Sequence, residues 1–478
     1  MEPPRTPFAL LTTGLLLALT PSCRHMATGY RYDPPEKGEP MKGSSAVKIS
    51  SSAARGTLLG IARHPVTTAV VGAAVLWQRP RELVTANVPG IRKYHFAPEE
   101  APGTDRFEAL LDKKDLPQPI GGKITWLVDG HRFYPELERE IAKARQTIDV
   151  QAYIFDNDDA AVRVADQLKR RSAEAQVRVI FDDLGSSSAA VTKPETPFPP
   201  GFEPPSNMSR YLRDGSAVKV RSMLNPWLVC DHTKLHVFDG RVALMGCMNI
   251  GREYRSEWHD LMFRVEGSAV GELQRDYDRT WKRAAPFGLP GLGGDAKKPY
   301  PVPVAGEVPI RILRTDPAVW RYEIQKAMLL GIRAARKRIW IEDPYIANDD
   351  ITEALEDAVK RGVDVRVIFP GRNDSKLMDV ANRAFANKLV EAGGKAYAYP
   401  GMTHLKAMIC DDWACVGSAN LDTLSMRINR ELNISFRAKA PLRELITKVF
   451  EPDFARSKPH VPAKEPGGAV MEAVADQL

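Results

Sequence analysis

Two segments of the chain carry the same scattered polar residues inside apolar text. His232–Asn249 reads HTKLHVFDGRVALMGCMN, and His404–Asn420 reads HLKAMICDDWACVGSAN. Each is His-x-Lys, four residues, Asp, a short gap and Gly-x-x-Asn. So demanding a pattern, kept twice, restricts the fold to one built by internal duplication, with each copy at the same place in its repeat.

The flanking text supports this. ITWLVDG reads as a strand, FYPELEREIAKARQ as a helix with Leu137, Ile141 and Ala144 on one side, and TIDVQAYIF as a strand. AAVRVADQLKRRSA and AQVRVIFDD continue as helix and strand, and a proline-rich insert, VTKPETPFPPGFEPPS, must be loop. A short helix, MSRYLRDG, and a strand, AVKVRSM, precede the first motif. VPIRILRT starts the same order again and leads to the second motif. Strands alternating with helices give an α/β fold: two duplicated α/β/α sandwich halves packed with pseudo-two-fold symmetry. The expected divisions are a targeting segment and tether over 1–110, a first half over 111–286, a Gly/Pro-rich joint over 287–306, a second half over 307–460, and a tail over 461–478.

Composition bounds the partners. At 44% hydrophobic and 27% charged, the 478 residues are globular, and a net charge of +7 suits anionic partners. Five cysteines, an odd number, form no disulfide framework, and no Cys/His group has zinc-site spacing. The run Phe8–Leu19 has the length of a signal-peptide core, and Cys23 resembles a lipoprotein acceptor after a poorly matching lipobox. A second apolar stretch, His64–Trp77, is short for a span. The expectation is membrane association, with the catalytic part exported to the periplasm or envelope. The alternative is a cleaved export signal followed by a helix packed on the body.

Each motif reads as a β-hairpin around Asp239-Gly240 or Asp411-Asp412, the second turn being one residue shorter. His232 and Lys234 share a face, as do His404 and Lys406, and Asn249 and Asn420 return on the partner strands. Two such faces brought together surround one anion with two imidazoles, two ammonium groups and two amides. That is a phosphodiester site that needs no metal or cofactor. One histidine attacks phosphorus, the other moves the proton of the leaving or entering oxygen, and four donors stabilise the developing charge. The symmetry leaves open which histidine does which. Asp239 and Asp411 lie too far along their strands to join the cluster locally, and either orient a histidine of the other half or fix the hairpin turn.

With Gly-x-x-Asn after each, HTKLHVFD and HLKAMICD resemble the paired HKD motifs of the phospholipase D superfamily. The resemblance runs over about residues 122–455. QAYIFDND, GCMNIGREY, WHDLMFRVEG, RGVDVRVIFPGRND and GSANLDTLSMRINRE are similar to bacterial cardiolipin synthases. It implies catalytic roles for His232, Lys234, Asp239, His404, Lys406 and Asp411, with His232 as nucleophile and His404 as acid and base. It implies phosphate binding by Asn249 and Asn420, and support of a histidine by Glu253 and Glu431. It also implies a phosphatidyltransferase that joins a phosphatidyl group to a lipid alcohol through a phosphohistidine, with phosphatidylglycerol or a similar phospholipid as substrate. Cys247, where relatives have Gly or Ser, and the TLSM tract after the second motif depart from the pattern.

The same chemistry serves a phospholipase when water is the acceptor, or a nuclease when a nucleic acid is the donor. The basic runs at Lys169–Arg171 and Arg336–Arg338 sit at helix ends, where solvated charge explains them, so no nucleic acid partner is expected. A non-catalytic phosphate-binding module would require one decayed motif, and both retain His, Lys and Asn.

Overall fold

The structure, a computed structural model, describes residues 58–60, 62–84, 96–190, 195–224, 229–289 and 306–463. The run Phe8–Leu19, Cys23, the tail 464–478 and most of the joint lie outside them.

The first half contributes strands β1 (Ile120–Val128), β2 (Thr147–Ala152), β3 (Gln176–Asp182), β4 (Lys219–Met223), β5 (Leu235–Phe238), β6 (Val242–Gly246) and β7 (Leu261–Glu266). The second contributes β8 (Val308–Asp316), β9 (Arg321–Tyr322), β10 (Arg338–Glu342), β11 (Ile346–Ala347), β12 (Asp364–Pro370), β13 (Lys395–Tyr399), β14 (Ala407–Cys410), β15 (Trp413–Gly417), β16 (Leu421–Asp422), β17 (Glu431–Phe436) and β18 (Lys458–Pro459). All but β11 and β16, which pair with each other, belong to one sheet.

That sheet runs through both halves. Its joint is the antiparallel pair β1·β8, with Ile120 opposite Ile310. Outward from the joint the order is β1-β7-β6-β5-β2-β3-β4 on one side and β8-β17-β15-β14-β10-β12-β13 on the other. The two series match strand for strand, as the duplicated text requires. In each, the strands that alternate with helices pair in parallel and the motif hairpin pairs antiparallel with its neighbour.

Alternation along the strands builds the layers. Val177, Val179 and Phe181 enter one cluster with Leu137 and Ile141 from the helix Gly130–Lys143 and with Val164 and Leu168 from the helix Asp159–Arg171. Ile180 faces the other way, into a central cluster that mixes both halves, including Leu235, Phe263, Ile310, Ile409 and Leu432. Each such buried side chain is worth roughly 1.5–3 kcal/mol, so the shared layer holds the halves as one body. Matching side-chain caps start matching helices: Asp158 accepts from Ala161 N–H, and Asn348 from Ile351 N–H.

Two packing relations fall outside the expected divisions. The helix Asp105–Lys113 straddles the 110/111 boundary and buries Phe107, Leu110 and Leu111 in the second half's core, where Arg311 pairs with Glu108 and Asp112. The helix Pro65–Val84 sets Val71 and Val75 against Ala318 and Ile428, with Leu424 of the TLSM tract beside them. The stretch His64–Trp77 thus packs on the body through this helix. Among the described residues, no helix is long and apolar enough to cross a membrane.

Candidate active site

The two His-x-Lys segments run extended just ahead of β5 and β14, and each is tied to the other half by backbone hydrogen bonds. His232 N–H donates to Arg430 C=O at 2.9 Å, and Arg430 N–H to Cys230 C=O at 2.9 Å. In the other copy, His404 N–H donates to His259 C=O at 2.8 Å, and His259 N–H to Met402 C=O at 3.1 Å. These short parallel bridges place each histidine beside the start of the opposite half's last main strand, and that strand start supplies its acid. His232 Nδ1 lies 3.0 Å from Glu431, and His404 Nδ1 lies 2.8 Å from Asp260. Ser418 Oγ donates to the same Glu431 carboxylate at 2.5 Å.

With Nδ1 committed to a carboxylate, Nε2 of each imidazole carries the free lone pair. Burial, and then the charges of Lys234 and Lys406, push the pKa of His232 well below the ordinary imidazole range. Burial and the same two lysines do so for His404, with His232 adding to the effect. That each lysine bears on both histidines places all four side chains in one cluster. Burial lifts Glu431 to about 8 and Asp260 to about 7 against the opposing pull of the lysines, and it lowers Lys234 to about 7. Shifts of this size, gathered in one buried cluster, mark a functional site, and its two lysines suit it to an anion.

The ammonium groups are fixed locally: Lys234 Nζ donates to His232 C=O at 2.7 Å, and Lys406 Nζ donates to His404 C=O. Tyr153 stands edge-on to His232, with ring centroids 4.8 Å apart, and Tyr254 stands edge-on to His404 at 5.4 Å. Trp258 lies 5.6 Å from the His404 ring. Asn249 and Asn420 are buried just after β6 and β15, and Asn249 Oδ1 accepts from Ile154 N–H. Gly246 has φ 147°, and a Cβ there would come within 2.6 Å of Leu261 C=O, so only glycine permits this approach of β6 to β7. Cys247 sits where the hairpins meet: its thiol donates to Gly417 C=O at 3.0 Å and accepts from Lys406 N–H at 3.3 Å. A small polarisable side chain fits there, which accounts for that departure. The proline-rich insert packs beside this cluster, where Glu195 accepts from Trp258 Nε1 at 3.2 Å and pairs with Arg372 of the second half.

The structure brings together His232, Lys234, His404, Lys406 and Glu431, departs from expectation at Glu253, and of the two roles left open for Asp239 and Asp411 favours the turn over a histidine. Asp239 and Asp411, expected among the catalytic residues, occupy the hairpin turns with φ of 52° and 48°. Asp239 accepts the N–H groups of Arg145, Gln146 and Thr147, and Asp411 those of Arg336, Lys337 and Arg338. Each pins the start of a neighbouring strand and orients no histidine. Glu253 does not hold a histidine either: its carboxylate clusters with Asp156 and Asp158. The partner of His404 is Asp260, which the sequence reading left without a role. A signal for it existed, since Asp260 follows Asn249 by eleven residues, as Glu431 follows Asn420.

A family model described as "Cardiolipin synthase, PLD-like domain" matches residues 137–281 and 328–454. "Cardiolipin synthase A" of Pseudomonas putida (strain GB-1) is 31% identical over 345 residues, 69% of this chain and 68% of that protein. "Cardiolipin synthase" of Listeria welshimeri is 30% identical over 336 residues, 68% of this chain and 67% of that protein. The solved phosphatidylserine synthase of Haemophilus influenzae has the same fold, with a TM-score of 0.59 at 15% identity over 78% of this chain and all of that one.

Proposed function

This chain belongs to the phospholipase D superfamily, enzymes acting on phosphodiester and phosphatidyl groups, and we propose that it is a phosphatidyltransferase of the cardiolipin synthase type. The observation that carries the reading is the pair of buried imidazoles, each with Nδ1 on an acid from the opposite half and both within reach of the charge of two lysines.

His232 Nε2 attacks the phosphorus of a phosphatidyl donor. The P–O bond to the headgroup alcohol breaks, and His404 gives its proton to the departing oxygen. An arriving phosphodiester adds negative charge between the lysines, which restores the proton affinity that His404 lacks in the empty site. The phosphohistidine is then attacked by a lipid hydroxyl. His404 takes that proton, and the P–N bond breaks to regenerate His232. Lys234, Lys406, Asn249 and Asn420 bear the charge that builds on the phosphoryl oxygens. The similarity to named cardiolipin synthases supports phosphatidylglycerol as donor and acceptor.

A membrane-surface location fits a lipid substrate. The exposed side chains Leu76 and Trp77, on the helix Pro65–Val84, and Trp320 support it, together with the apolar N-terminal text. Flotation of the protein with anionic vesicles, weakened in Leu76→Glu/Trp77→Glu, tests it.

Incubation with headgroup-labelled phosphatidylglycerol decides the reaction. Diphosphatidyl product with one glycerol released per turnover is expected. Phosphatidic acid alone would assign a phospholipase, and no reaction alongside cleavage of DNA would assign a nuclease.

A further inference from the structure

The two bridges that deliver Glu431 and Asp260 have a second pair of residues in common. Arg430 precedes Glu431 and pairs with Asp231; His259 precedes Asp260 and pairs with Thr403. Arg430 and His259 thus hold the same place, one in each copy of the site. Each is a nitrogen base sunk among carboxylates. Arg430 contacts Asp231 at 2.9 Å, Asp276 at 2.7 Å and Asp316 at 3.5 Å. His259 contacts Asp129 at 2.7 Å through Nδ1, and Asp453 at 3.0 Å and Glu342 at 3.9 Å through Nε2.

The surroundings correspond as well. Asp316 ends β8, and Asp129 follows β1 directly. Asp276 and Asp453 lie on helices that follow the last main strand of each half, Ala269–Arg283 and Glu451–Arg456. Gln151 of β2, opposite Leu235, donates to Asp231; Glu342 of β10, opposite Ala407, accepts from Thr403. One copy therefore carries a guanidinium, which stays charged at every working pH, where the other carries an imidazole, which does not.

We propose that His259 is the positioning residue of the His404 side, holding Asp260 and through it His404 only while both of its ring nitrogens carry protons. The double protonation is required by geometry. Both nitrogens face carboxylate oxygens at hydrogen-bond distance, and a carboxylate only accepts. Neutral His259 would leave one lone pair against a buried carboxylate. The Tyr399 ring stacks on the imidazole at 4.9 Å with planes 14° apart, a face suited to a cation. The surrounding charges agree in sign. Burial opposes the protonated form, but Asp129, Asp453 and Glu342 outweigh it and hold the His259 pKa well above the ordinary range. The other basic groups nearby act on these acids without contacting the ring: Arg456 on Asp453 and Asp129, and His131 on Asp129.

The linkage has a definite direction. A group whose pKa is raised in the folded protein holds its contacts below that pKa and loses them as pH rises through it. The His404 side is therefore released on the alkaline side, while the His232 side, clamped by Arg430, is not. The enzyme is inactivated at high pH through its proton-transfer half.

This inference rests on the reading of His404 as the acid and base, so two independent measurements test it. In the first, kcat is followed against pH for wild type, His259→Arg and His259→Gln. Wild type is expected to lose about tenfold per pH unit beyond its alkaline limb. His259→Arg should move that limb up by at least one unit, and His259→Gln should be slow and flat across it. An unmoved limb in His259→Arg overturns the proposal. In the second, nitrogen NMR of histidine-labelled full-length protein reads the ring without turnover, and the His259 signal is identified by its loss in His259→Gln. Two ring protons at neutral pH, one of them lost as the pH rises through the alkaline limb, support the proposal. A single proton at neutral pH overturns it even if His259→Arg fails to fold. Because that reading needs no substrate, a wrong lipid assignment would leave it standing.

Discussion

The carboxylate of Glu431 lies 3.0 Å from Nδ1 of His232, across the boundary between the two halves of the chain. Asp260 does the same for His404 in the opposite direction. Each half thus supplies one imidazole and the acid for the other's. The acid holds the proton on Nδ1 and leaves Nε2 to face phosphorus. Glu431→Gln and Asp260→Asn present an amide that can donate to Nδ1 and force the wrong tautomer. Each should lower kcat by about 10³-fold with little change in KM. Glu253→Gln, away from both rings, should stay within about threefold of wild type. Equal losses at Glu253 and Asp260 in steady-state assays would contradict the assignment.

The two histidines separate in a substrate whose departing group needs no proton. With a nitrophenyl phosphodiester, His404→Ala should release about one nitrophenolate per site in a burst and then stall as the phosphohistidine, while His232→Ala should release none. Stopped-flow absorbance gives the amplitudes. A burst from His232→Ala with none from His404→Ala would exchange the roles.

Asp239 and Asp411 make a contrasting case. Each accepts three backbone N–H groups, and three donors hold the Asp239 carboxyl below its usual range despite partial burial. Asp239→Ala should lower stability by about 1–3 kcal/mol through lost hydrogen bonds and a strained positive φ, with kcat per folded molecule retained. Chemical denaturation and active-site titration together measure both. A thousandfold loss of kcat at unchanged stability would return Asp239 to the chemistry.

Anion affinity should depend on pH through Lys234. Burial lowers its pKa to about 7 in the empty site, so its charge is present below that pH and lost above it. Sulfate keeps a constant charge over this range. Millimolar sulfate should raise Tm clearly at pH 6 and much less at pH 8.5, and Lys234→Met should shrink the difference to the part that Glu431 and Asp260 contribute. Equal shifts at both pH values would show that Lys234 stays charged.

What the sequence disclosed was whatever repeats or has a period. The hairpins around Asp239 and Asp411, the alternation in Val177–Phe181 and the matching order of the halves were legible because local pattern dictates them. The acids were harder. Glu431 was found, but Glu253 was matched to it where Asp260 serves: Glu253 follows Asn249 by four residues, not by the eleven that separate Asn420 from Glu431. The strands β7 and β17 decide otherwise, since they carry the residue at their start alongside the opposite half's histidine. The packing of the helix Asp105–Lys113 on the second half was equally invisible, because nothing local states which of two similar cores an amphipathic helix will cover. The pairing of Arg430 with His259 could be recognised only once the bridges were known.

The crossed supply of acids also sets the moment at which the chain becomes dangerous to lipid. A nascent polypeptide exposes its first imidazole long before β17 has been synthesised, and until Glu431 arrives nothing fixes the tautomer of His232. A chain that ends with β13 lacks His404, and one that ends before β17 lacks Glu431, so the site is complete only once both halves are present.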